Sequence, residues 1–231
     1  MRFGPLLSVA FLLSISLITF PARSVAQQDD LERNNGNFPL SIGVSLFLGK
    51  GVPKDLVMAA RYIRMAADQG NADAQNLLGT MFKAGEGVEK DNHEAAKLFR
   101  KAANNGHAEA QNNLGMLYTS GHGVPQDYLE SIKWYRLSAN QGSPNAQHNL
   151  GVAFNHGLGV SKNHIVAYAL FNLASANKTG DDRAVVAGRT LTASRLTRTE
   201  ILEAQALTRR MSETGKLIAT LDEYINRPKS K

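Results

Sequence analysis

The 231 residues include 43 % hydrophobic and 20 % charged side chains, a balance ordinary for a soluble protein of one or two domains. No cysteine is present, which excludes disulfide staples, a lipid-modified N-terminal cysteine and a Cys-ligated metal site. The net charge of +6 sits mostly at the two ends: residues 27–180 carry 14 basic against 13 acidic side chains, so no basic stripe of the kind nucleic acid needs runs along the middle of the chain.

The first element is not part of the fold. Arg2 supplies a positive start, Leu6 to Phe20 is apolar apart from three serines and one threonine, and Ser24-Val25-Ala26 places small residues before Gln27. That pattern predicts a secretory signal peptide over residues 1–26, cleaved after Ala26. The apolar run is short of the ~20 residues that a membrane-spanning helix requires, so no stable span is expected after cleavage. Residues 27–36 are expected to form a flexible mature N-terminus, in the periplasm or outside the cell.

From residue 37 the chain repeats. Ile42-Gly43, Leu78-Gly79, Leu114-Gly115 and Leu150-Gly151 follow one another at intervals of 36 residues without insertion or deletion. An interval of this size marks a solenoid, in which each unit buries its apolar face against its neighbours. The predicted units are 37–71, 72–107, 108–143 and 144–180. Each opens with a helical stripe such as Ala74, Leu78 and Phe82 at i, i+4 and i+8, here called helix A. Gly43, Gly79, Gly115 and Gly151 lie inside it, where glycine costs ~1 kcal/mol against alanine, so close approach of the paired helix is the expected reason.

A Gly-x-Gly-Val turn ends each helix A, for example Gly121-His122-Gly123-Val124, with the first glycine suited to a left-handed C-cap and the valine expected to plug the core. Read alone it could suggest a phosphate loop, but a helix precedes it and the pattern occurs four times. Helix B opens at the N-caps Asp55, Asp91, Asp127 and Asn163. Glu94 and Glu130 stand where a capping box would place them. Ala59, Ala95, Ser131 and Ala167 are the small residues expected to face the helix A glycines. Trp134, the only tryptophan, takes a packing position.

The string Ala-x-Ala-Gln-x-x-Leu-Gly-x-x-Tyr-x-x-Gly-x-Gly-Val-Pro-x-Asp over Ala108–Asp127 resembles the Sel1-like repeat family. The resemblance covers about residues 37 to 180. It implies an all-α, right-handed α/α superhelical solenoid of about four helical hairpins, related to tetratricopeptide repeats, with C-terminal capping helices. It also implies adaptor or regulatory roles through protein partners. The first unit departs by having Phe38-Pro39 in place of Ala-Gln, and the fourth has Lys178 where the closing glycine would be.

Residues 181–213 continue as capping helices: one with Val185, Val186, Leu191 and Leu196, and one opened by the capping box Thr197-Arg198-Thr199-Glu200, with Ile201, Ala204, Gln205 and Leu207 toward the last repeat. Gly215 then interrupts, and residues 214–231 hold a short amphipathic helix and a basic tail.

Chemistry is not prominent. His93, His107, His122 and His164 fall in turns or helix starts, and His148 and His156 are eight apart, without metal-ligand spacing. Neither a zinc-protease nor a serine-hydrolase motif occurs. No catalytic residue, metal or cofactor is expected. What remains is the helix A face, where Asn76, Thr80, Lys83, Asn112, Met116, Thr119, His148, Val152 and Asn155 are expected to stay free of packing and to line a concave partner-binding surface. The amides and imidazole would pair with peptide backbone and Met116 would adapt its shape. The expected function is an exported, non-enzymatic scaffold or adaptor for an unidentified protein or peptide of the envelope. The alternatives are a cell-wall or β-lactam-directed hydrolase and a self-assembling envelope scaffold.

Overall fold

A computed structural model describes residues 36–177, 183–213 and 216–228. The signal peptide with Ala26, the segment before Gly36, Lys178, Gly180 and Gly215 lie outside the described residues. Eleven helices and no strand occur among the described residues. They are α1 (Asn37–Leu48), α2 (Leu56–Asp68), α3 (Ala72–Ala84), α4 (Asn92–Asn104), α5 (Ala108–Ser120), α6 (Tyr128–Asn140), α7 (Pro144–His156), α8 (His164–Asn177), α9 (Arg183–Ala193), α10 (Arg198–Met211) and α11 (Leu217–Asn226). The first eight pair as hairpins, odd with even, and each hairpin packs on the next through its even helix.

The helix boundaries follow from local chemistry. Asp55, Asp91, Asp127 and Asn163 each accept from backbone N–H groups in the first turn of the following helix. Such caps satisfy donors that the helix itself leaves open. The reciprocal half of the expected capping box is missing at Glu94 and Glu130. Their carboxylates turn outward to Lys97 and Lys133, three residues on. Helix A has its own caps, Asn71, His107 and Ser143, whose side chains accept from Ala74, Ala110 and Ala146.

The glycine inside helix A does make room for helix B, but mainly for a large side chain. A Cβ added at Gly79 would meet the Phe99 ring at 2.8 Å, at Gly115 the Tyr135 ring at 2.6 Å and at Gly151 the Phe171 ring at 2.8 Å. At Gly43 the neighbour is Ile63, at 2.5 Å. Ala59 and Ala95 present backbone carbonyls at 3.2 and 3.3 Å from the same added atoms, so the alanine contributes its smallness one turn earlier. Ala59, Ala95 and Ala167 are fully buried and Ser131 nearly so.

The second glycine of the turn acts between units. A Cβ at Gly87 or Gly123 would overlap the carbonyl oxygen of Leu56 or Asn92, and one at Gly159 would lie 2.6 Å from that of Tyr128. Each turn therefore rests on the first residue of the preceding helix B. Gly51 has no atom within 4 Å of the same point, because no described unit precedes it. The valines divide in the same way: Val88, Val124 and Val160 pack against the core, whereas Val52 is 41 % exposed instead of plugging it.

At the other end the repeat changes to receive a wall. Glu130 and Lys133 on α6 correspond, 36 residues on, to Val166 and Ala169 on α8, and exposed Leu137 corresponds to Leu173; these three α8 residues are all buried. α9 packs on α8 as a further helix A would, with Gly188 also against the Phe171 ring. Its buried residues are Val185 and Thr192, while Val186 and Leu191 are exposed. α10 does not complete a hairpin with α9; it lies on α8, burying Ala204, Leu207 and Met211. Its Thr197–Glu200 capping box forms in both directions. α11 folds back onto α10 and α6, held by Arg136 to Asp222 at 2.5 and 2.7 Å and by Tyr224 donating to Glu203 at 2.8 Å.

Gly51 and Gly123 share a left-handed backbone, with φ of 77° and 73°, but only Gly123 is pressed against another unit. Gly51→Ala should cost the conformational penalty of about 1–2 kcal/mol. Gly123→Ala should add about 1–3 kcal/mol of overpacking. Urea unfolding followed by circular dichroism reads the difference, and equal losses would show that the turn carries no contact between units.

Candidate functional site

The nine residues expected on the helix A face divide into two groups. Asn76, Asn112 and Asn155 are buried. Asn113 Nδ2 donates to Asn76 Oδ1 at 3.0 Å, and Asn149 Nδ2 donates to Asn112 Oδ1 at 2.9 Å. These bonds join α3 to α5 and α5 to α7, so the two amides are rungs between units rather than surface groups awaiting a peptide. Leu40 and Leu77 hold the corresponding places one unit earlier, where the rung is apolar. A buried amide with its partner removed costs more than the bond contributes when intact, which makes the rungs structural.

Three further residues are also engaged. The Thr119 hydroxyl lies 2.6 Å from that of Ser131 and 3.1 Å from that of Tyr135, and donates to the Gly115 carbonyl. Burial raises the Tyr135 phenol above its ordinary range, an effect that the two hydroxyls oppose. His148 is half-buried with its ring 5.3 Å from that of Phe171. Asn155 Oδ1 takes donors from α8 and from the end of α9. Left at the surface are Thr80 and Met116, the latter 38 % exposed, with Lys83 and Val152 half-buried. Thr80, Met116 and Val152 occupy one register position in three successive units and so form a row.

Sequence reasoning missed two repeating devices. Gln75, Gln111 and Gln147 each donate Nε2 to a carbonyl in the last turn of the preceding helix B: Ala67 at 3.1 Å, Ala103 at 3.1 Å and Ala139 at 3.4 Å. The Ala-Gln pair recurring every 36 residues was the signal. The second is Arg64, Arg100 and Arg136, again 36 apart. Arg64 lies over the Phe82 ring at 5.3 Å and Arg100 over the Tyr118 ring at 5.7 Å, each reaching the next helix A. Arg136 leaves that pattern for Asp222 of α11.

No group of three or more His, Asp or Glu side chains arranged to hold a metal ion occurs among the described residues. His107 bridges units, with Nδ1 accepting from Ala110 N–H and Nε2 3.0 Å from Asp73. Two carboxylates share a cleft between α8, α10 and α11, but both have partners. Glu200 accepts from the Thr197 backbone and hydroxyl, which holds its pKa below the ordinary value. Glu203 accepts from Tyr224 and Arg227, and burial followed by that bond pushes the Tyr224 phenol far up. No helix among the described residues is long and apolar enough to cross a membrane.

The model of the Sel1 repeat matches at residues 41–71, 72–107, 108–143 and 144–178. The chain belongs to the Sel1 repeat family. Its matched units coincide with the glycine-framed hairpins, and the C-terminal helices follow the last of them. Among solved structures, the uropathogenic Escherichia coli protein c5321, described as a protective antigen displaying an SLR fold, is 26 % identical with a TM-score of 0.55. That comparison covers 88 % of this chain and 51 % of the E. coli protein, so this Sel1 chain spans about half its neighbour's length. A Sel1 repeat protein from Oxalobacter formigenes is 24 % identical with a TM-score of 0.58, over 85 % of this chain and 90 % of that one, and shares the fold. No curated protein matches the sequence.

If the amide rungs hold the Sel1 units together, Asn112→Ala should lower stability by about 1–3 kcal/mol, because Asn149 loses its acceptor in a part-buried setting. Lys83→Ala, on the same face and with no side-chain hydrogen bond or ion pair among the described residues, should change it by less than about 0.5 kcal/mol. Chemical denaturation of the two variants checks the contrast.

Proposed function

We propose that this Sel1 repeat protein is an exported, non-enzymatic adaptor that binds a protein or peptide partner across the helix A face, the side that the family resemblance makes concave. One observation carries the reading. The framework residues recur in each unit, whereas the row of exposed Thr80, exposed Met116 and half-buried Val152 changes from hydroxyl to thioether to branched aliphatic. A fixed frame with a variable outward row is how repeat arrays present different contacts to an extended partner. Lys83 adds a cation beside Thr80, and the half-exposed Asn113 and Asn149 amides border the row.

The N-terminal sequence supports export, and the description of the E. coli neighbour as a protective antigen accords with it. The non-enzymatic part of the reading rests on the engagement of Glu200, Glu203, Asp91 and Asp127 as caps or hydrogen-bond acceptors, which leaves them poor general acids or bases.

The mature chain serves as bait for crosslinking and pulldown from the native envelope. Thr80→Glu combined with Met116→Glu should abolish capture while helicity and melting temperature stay as in the parent. Capture that survives the double variant overturns the placement on this face. Export has its own check: mass spectrometry of the protein from its native compartment should give an N-terminus at Gln27, and an intact Met1 in the cytoplasm would overturn it.

A further inference from the structure

We infer that the turn between α7 and α8, together with the end of α9, forms a binding site for a phosphate-class oxyanion. Asn155 is its floor. This side chain is 3 % exposed, and its Oδ1 lies 3.0 Å from His164 Nδ1, 3.3 Å from an Arg195 guanidinium nitrogen and 3.4 Å from the Thr192 hydroxyl. Its Nδ2 lies 3.4 Å from His156 Nε2. Two imidazoles and a guanidinium are thereby oriented around one fixed amide, each keeping a further nitrogen for another partner. Lys162, in the intervening turn, is exposed. Among the described residues neither Lys162 nor Arg195 forms an ion pair, whereas Arg136, Arg210 and Arg227 are each held by a carboxylate.

The cluster is a departure from the repeat and not a consequence of it. One unit earlier the places of Asn155, His156, Lys162 and His164 hold Thr119, Ser120, Gln126 and Tyr128. Arg195 falls 36 residues after Gly159 and so stands where the turn glycine rests on the preceding helix B. Loss of that glycine at the end of the array admits a long cation beside the first residue of α8. The positive end of α8 adds to the same field.

The charged groups facing His164 from each packed element are Arg195 at the end of α9, Lys162 and His156 in the turn, and Glu200 in the first turn of α10. Burial, then Arg195, Lys162 and His156, disfavour the charged imidazole, and Glu200, the smallest influence of the five, opposes them. An oxyanion seated among them would reverse that balance.

The test follows the imidazole titrations of the full mature chain by NMR in inorganic phosphate and in sodium chloride of equal ionic strength. The His164 midpoint should rise by about half a pH unit or more in phosphate over chloride, since a bound anion favours the charged ring. Arg195→Gly, which restores the repeat's own residue, should remove the rise, and Lys162→Gln, the residue of the third unit, should reduce it. Glycerol 3-phosphate in parallel distinguishes a free ion from the head of a phosphomonoester, and a rise with either supports the site. No rise over chloride, or the same rise in both variants, overturns it.

Discussion

Close approach of an aromatic ring to a bare helix backbone governs this structure. Phe99, Tyr135 and Phe171 each lie over a glycine of the partner helix at a distance that a single methyl group would close. The resulting nearness of helices A and B fixes the width of the hairpin, and the width fixes what can be reached from it. Only in so thin a unit do Gln75, Gln111 and Gln147 reach back to the helix B before them, and only then does the turn glycine settle on that helix's first carbonyl. The ~1 kcal/mol that glycine costs within each helix is offset by packing that no larger residue allows.

Architecture was legible in the sequence because the 36-residue interval, the caps and the glycine pairs are local signals repeated in register. The tail was less so. Val185, Val186, Leu191 and Leu196 are the apolar residues that the sequence offers there, yet Val186 and Leu191 are exposed, and the face of α9 turned inward is Val185 and Thr192 with Gly188 against the Phe171 ring. A comparison of units would have foreseen α10: Val166, Ala169 and Leu173 break the outward polarity that α2, α4 and α6 mostly keep.

The polar helix A residues were harder to place. Asparagine on an apparently outward position reads as solvent-facing, and periodicity does not report whether a second asparagine stands 37 residues away, one register step off the repeat. Two such rungs, His107 against Asp73 and the arginines over Phe82 and Tyr118 make a network of side-chain bridges that runs from unit to unit outside the apolar core. Such bridges specify which unit sits beside which, as buried polar groups do when they must find their partners.

The unmatched edge at Gly51 and the covered face of α8 give the array a direction. At the α8 end, Val166, Ala169 and Leu173 can be sheltered only by α10, so a copy of the fourth unit placed anywhere earlier would put apolar residues into water. At the α1 end, no described residue makes at Gly51 the contact that the later turns make. Lengthening by duplication is therefore permitted from one side alone: new hairpins can enter ahead of α1 or between the early units, while the terminal block of α8 to α11 must travel as a single inheritable piece.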